Sequence, residues 1–186
     1  NWIGAFAVPF AVINDFEFLH SQDEEPRRAG LIEAVKVSLV KDGEFFRWIE
    51  TQVEDLAALK PAALEECVER SALLHATHIS QGGDPFETGS SRPLDFGHWS
   101  AHKLEQLSGF AVSHAHAVAI GCALDTLYSS RCGLLRDCVA ERVIDVVSGL
   151  KLPLWHPALD LRDGNGRRLV HAGLEEFREH LGGELT

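Results

Sequence analysis

The chain contains no methionine, not even at position 1, so the start of the gene product is expected to lie upstream of Asn1. It has no excess of positive charge: 17 Lys and Arg stand against 28 Asp and Glu, a formal net charge of −11. Nucleic acid and anionic membrane surfaces both select a basic face, so neither is expected as a partner. The longest uncharged run near the start, Trp2 to Ile13, holds Pro9 and falls well short of the roughly 20 residues a bilayer span needs. It also lacks the basic stretch that opens a secretory signal. Cysteine is sparse. Cys67, Cys122, Cys132 and Cys138 form no CxxC pair and match no zinc-ribbon spacing. They read as reduced core residues on helices, which points to the cytoplasm. Neither GxGxxG nor GxxxxGK[ST] occurs, so any nucleotide site must come largely from elsewhere.

What is present suits one folded domain. A length of 186 residues with 45% hydrophobic and 24% charged side chains is ordinary for a globular unit with a real core. Residues 1 to 14 read as an extended lead-in, and a helical period takes over from Asp15. Leu31, Ile32, Val35, Leu39 and Val40 make one broad apolar face of a helix from Arg27 to Lys41. Helices follow at Glu44 to Leu59 and, opened by Pro61, to about Ser80. Gln81 to Pro93 is rich in turn residues. Further helices are expected at Gly97–Leu107, Ser113–Ser130, Leu134–Ser148 and Leu174–Leu181, with a polar loop at Asp163–Arg168. The predicted class is all-α, a helical bundle behind a short extended lead-in.

Histidine is the outlier. Of ten, six crowd between Leu74 and Ala117: His75, His78, His98, His102, His114 and His116. His98 and His102 are spaced i,i+4, which puts both imidazoles on one helix face, and His114 opens the next helix. A carboxylate would complete a zinc-like set, and Glu33 lies on the helix from Arg27 to Lys41. Lys36 follows Glu33 at i,i+3 on the same face. Spacing alone leaves two alternatives open: a metal site, or a surface histidine pair beside an ordinary intrahelical ion pair. His20, His171 and His180 read as surface residues, and His156 has no evident role.

Several strings resemble the catalytic, C-terminal half of the 3-dehydroquinate synthases and related sugar-phosphate cyclases. These are NWIGAFAVP from Asn1, DFEFL from Asp15, AGLIEAVK from Ala29 and KDGEFFRWIE from Lys41, then DFGHWSAHKLE from Asp95 and SHAHAVAIG from Ser113. They occur in the family's order with matching gaps. The resemblance implies that Glu33, His98 and His114 bind Zn²⁺, or another divalent metal such as Co²⁺. It implies that Lys36 and His102, with Asp95, act at the reacting centre, and that Asn1, His75 and Arg92 contact substrate. The implied activity is cyclisation of a small sugar phosphate, by transient oxidation with NAD⁺, phosphate elimination and aldol closure. It also implies that residues 1–186 form one helical domain and that the NAD-binding domain lies outside this chain. A homodimer is one assembly to expect, although the sequence itself does not give the oligomeric state.

The departures from the family pattern are informative. His75 stands where the family has a lysine, Asp95 where it has an asparagine, and Ser91 where it has an arginine, with Arg92 one place later. The family's His-Gly-Glu reads His114-Ala115-His116. Loss of cationic grip beside a new carboxylate points away from a carboxylated substrate. Two rival readings share the fold. An iron-type alcohol dehydrogenase has the GHxxxH string in common, but AGLIEAVK favours the cyclase; a decayed binding protein would not be expected to keep Glu33, Lys36, His98, His102 and His114. A helical phosphohydrolase of the His-Asp type is excluded because the chain has no His-Asp dipeptide.

Overall fold

The computed structural model describes residues 10–81 and 93–180, the last three as backbone only. Asn1, Ser91 and Arg92 lie outside the described residues. Among the described residues there are eight α-helices and no strand: α1 (Glu17–Ser21), α2 (Glu24–Lys41), α3 (Gly43–Ala57), α4 (Pro61–Gln81), α5 (His98–Leu107), α6 (His114–Arg131), α7 (Asp137–Gly149) and α8 (Ala172–His180). Short 3₁₀ turns occupy Pro93–Asp95, Pro157–Asp160 and Leu169–His171. The all-helical expectation holds. Residues 10 to 16 carry no regular structure, and residues 1 to 9 of the expected extended lead-in lie outside the described residues.

Local chemistry sets most of the boundaries. Asp42 caps α3, its Oδ1 accepting from the backbone N–H groups of Glu44 and Phe45 at 2.9 and 3.1 Å. Pro61 opens α4, where its missing N–H costs nothing. Helix α2 starts three residues earlier than the apolar period indicates, because Glu24 and Glu25 suit the positive end of a helix and Pro26 is tolerated in its first turn. Helix α7 starts three residues later than expected. Gly133 (φ 73°) closes the end of α6, and Leu134 points into solvent.

Helix α6 is the central element. Every residue from Ala117 to Ala123 is buried, the pattern of a helix enclosed on all sides. Helices α2, α5 and α7 pack around it, with α3 and α4 against α2. Ile32, Val35, Ile49, Leu56, Leu104, Val118, Ile120, Val143 and Val147 form one continuous core. The loop at Asp163–Arg168 is polar as expected. Its Asp163 Oδ1 accepts from the N–H groups of Asn165 and Arg167 at 2.8 and 2.9 Å. No helix among the described residues is long and apolar enough to cross a membrane.

The cysteines require a correction. Cys67 and Cys122 are buried, but Cys132 and Cys138 are exposed. Cys132 lies just past the end of α6. On α7 the inward stripe is Ala140, Val143, Val146 and Val147, and Cys138 falls outside it.

Candidate metal centre

His98 is the first residue of α5 and His114 the first of α6, and α5 lies along α6 with Gly97 against Gly121 and Glu105 meeting His114. The rings of His98, His102 and His114 form an almost equilateral triangle, with centroid separations of 5.6, 5.5 and 5.7 Å. Their nitrogen atoms include one from each ring, all within 4.8 Å of one another. The closeness of His98 to His102 follows from the i,i+4 spacing. The approach of His114 is tertiary, and it is the more telling contact.

Two ring orientations are fixed by acceptors. His98 Nδ1 lies 3.3 Å from the Phe96 carbonyl oxygen, and His114 Nδ1 lies 3.1 Å from Glu105 Oε2. Both partners only accept, so each Nδ1 is a donor, and in the neutral ring Nε2 is the nitrogen left to bind a metal. This is how metal-binding histidines are commonly held. Burial, then the ammonium of Lys36, holds the His98 imidazole below histidine's ordinary 6.5, favouring the neutral, ligating form. The donor set therefore fits zinc, given a contraction to the roughly 2.0–2.1 Å of Zn–N bonds.

The other expected site residues are placed as follows. Lys36 is buried at 4% exposure and its Nζ meets Glu33 Oε2 at 2.7 Å, while Glu33 is 39% exposed. Glu33 is not in the histidine trio, but its charge, like those of Lys36 and Asp95, is felt at His98. Asp95 ends the 3₁₀ turn that leads into α5. His75 does not join the trio. Its Nδ1 lies 2.8 Å from the Ser71 carbonyl oxygen, and the ring lines a cleft of about 250 Å³ with Leu19, Gly30, Ala34 and Cys67. Of the remaining histidines, His20 pairs with Glu65 at 3.4 Å and His116 with Glu25 at 3.3 Å. His156 has a structural role, since its Nδ1 accepts from Ala158 N–H at 3.2 Å and caps a 3₁₀ turn.

Two residues near the centre were not singled out from the sequence. Glu105, the acceptor for His114, lies seven residues after His98 and so on the same face two turns on. Asp125 is the lone acid after the apolar stretch Ala117 to Leu124, which was the available signal. Its carboxylate binds the start of α5, and burial raises its pKa against the opposing effect of those hydrogen bonds.

Residues 30–166 match the family described as 3-dehydroquinate synthase C-terminal. The chain belongs to the 3-dehydroquinate synthase family. It is 35% identical over 164 residues to a 3-dehydroquinate synthase of Acidithiobacillus ferrooxidans, covering 88% of this chain and 44% of that protein. A 3-dehydroquinate synthase of Methylococcus capsulatus is 35% identical over 158 residues, 84% of this chain and 44% of the relative. The chain thus spans less than half the length of these curated relatives. Among solved structures, it resembles 2-epi-5-epi-valiolone synthase (ValA) from Streptomyces hygroscopicus subsp. jinggangensis, determined with NAD⁺ and Zn²⁺ bound. The TM-score is 0.77 at 30% identity, covering 91% of this chain and 45% of that one. In this 3-dehydroquinate synthase homologue the histidine trio lies where α5 meets α6, and its three rings could hold a metal ion.

Proposed function

We propose that the full-length protein is an NAD⁺- and zinc-dependent sugar-phosphate cyclase that eliminates phosphate, and that it takes a neutral heptulose 7-phosphate. Zinc would be held by His98, His114 and Glu33, with His102 beside it, and NAD⁺ largely by residues outside these 186. The likeness to a valiolone synthase solved with both cofactors supports this reading.

The observation that carries the substrate choice is Asp95, whose carboxylate sits close enough to be felt at His98. A substrate carboxylate nearby would meet a like charge. At 4 Å that costs about 1–4 kcal/mol for effective dielectrics between 80 and 20, or about one to three orders of magnitude in preference. A sugar hydroxyl would instead donate a hydrogen bond to Asp95. His75 in place of a lysine removes a permanent cation from the family pattern.

When bound, the metal would stabilise negative charge on substrate oxygens and NAD⁺ would accept a hydride. The chain's own residues bind and orient. Lys36 offers a compact ammonium to the phosphate. In turning to it, Lys36 would release Glu33 to the metal, so one ion pair would be exchanged for two. His102, on the same face as His98, would exchange a proton with the reacting centre. The test is phosphate release by the full-length enzyme with neutral and carboxylated heptulose phosphates at equal concentration. A higher kcat/KM for the neutral sugar is expected; a higher value for the carboxylated one overturns the reading.

A further inference from the structure

We propose that Asp125 is a positioning residue for the metal centre, tying the residues on both sides of His98 to the helix that carries His114. This rests on the metal-centre reading above and extends it to a residue that touches neither metal nor substrate.

Asp125 Oδ2 accepts from the Gly97 backbone N–H at 2.9 Å, and its Oδ1 accepts from Trp99 Nε1 at 2.7 Å. Gly97 and Trp99 flank His98, so the ligand is held between two anchored neighbours. Asp125 itself lies eleven residues after His114, three turns along α6. One side chain therefore links the helix carrying His98 and His102 to the helix carrying His114. Backbone packing supports the link. Gly97 adopts a left-handed conformation (φ 82°), and a Cβ on Gly121 would lie 2.0 Å from the Gly97 carbonyl oxygen. The α5 start thus rests directly on α6, with no side chain between to absorb a shift.

The surroundings make the two hydrogen bonds count. Trp99 and Asp125 border a cleft of about 310 Å³ where Leu124, Leu159 and Val170 meet the polar Tyr128, Arg168 and His171. Both bonds are part-buried, and hydrogen bonds to a carboxylate are stronger than neutral ones. Freed from the clamp, Gly97 and Trp99 could shift His98 by the fraction of an ångström that metal geometry does not tolerate.

The experiment compares full-length wild type with Trp99→Phe and Asp125→Asn, using Zn²⁺ alone in chelator competition and Co²⁺ for its visible ligand-field spectrum. Arg142→Ala, which removes a surface pair to Glu50 held at 2.7 Å, controls for loss of stability alone. Zinc affinity is expected to fall about tenfold or more in both clamp variants, with an altered Co²⁺ spectrum, while Arg142→Ala binds as wild type. Unchanged affinity and spectrum in a folded Trp99→Phe protein would overturn the positioning role, whatever Asp125→Asn does to folding. If wild type itself binds neither ion, the metal-centre reading has failed instead.

Discussion

Lys36 and Glu33 form a lopsided ion pair on α2, with the ammonium buried and the carboxylate half in solvent at 2.7 Å. A buried cation whose partner water can solvate is held ready for a second anion. Lys36→Met should lower kcat/KM for the sugar phosphate by a factor of about 100 or more, the scale of losing one preorganised charge contact. Stability of the metal-free protein should change by no more than about 1 kcal/mol, because Glu33 returns to water and a buried charge is removed. Phosphate-release kinetics and thermal melts read the two effects separately. Unchanged kcat/KM would remove Lys36 from the site.

The proposed metal ligands can be ranked. His98→Ala and His114→Ala should each abolish stoichiometric zinc in elemental analysis. Glu33→Gln should weaken zinc more than His102→Gln does, although His102 sits nearer the trio's centre here. The proximity of His102 to His98 is a consequence of helical spacing, whereas a carboxylate with two imidazoles leaves open positions for substrate oxygens. Retention of full zinc by both His98→Ala and His114→Ala would place the metal elsewhere.

Two helical glycines should respond oppositely to alanine. Gly30 is exposed on α2, and a Cβ added there would meet nothing within 4 Å, so Gly30→Ala should stabilise by about 0.5–1 kcal/mol. Gly121→Ala places its methyl 2.0 Å from a backbone oxygen that cannot rotate aside. Overpacking of about 1–3 kcal/mol or more outweighs the propensity gain. Denaturant titrations of both variants test this, and a Gly121→Ala protein as stable as wild type would mean that α5 and α6 separate easily.

Thiol chemistry should divide the cysteines in two. Cys132 and Cys138 are exposed and should alkylate in the native protein. Burial pushes the thiols of Cys67 and Cys122 up to about 12, so neither should react until the chain unfolds. The folded state keeps these two protons where the unfolded state releases them, so their contribution to stability is full below about 9 and is lost as pH rises toward 12. Mass spectrometry after iodoacetamide, with melts between about pH 8 and 11, checks both statements. Four modified cysteines in a folded sample would contradict the packing of α4 and α6.

Local rules carried the reading a long way. Pro61 announced a helix start because its fixed backbone suits a first turn, and His98 with His102 announced a shared face because the helical period is fixed at about 3.6 residues. The family strings named Glu33, His98 and His114 without any knowledge of their distance. Other features depended on which helices meet. Nothing local says that Glu105 will face His114, that Asp125 will reach across to Gly97 and Trp99, or that Cys138 will look outward while Cys122 does not. The contacts of Glu105 and Asp125 follow from α5 lying on α6 at Gly97 and Gly121, residues 24 apart in sequence, and the outlook of Cys138 from which face α7 buries. Periodicity chooses the face of each helix, but only close packing of one helix on another decides what that face will touch.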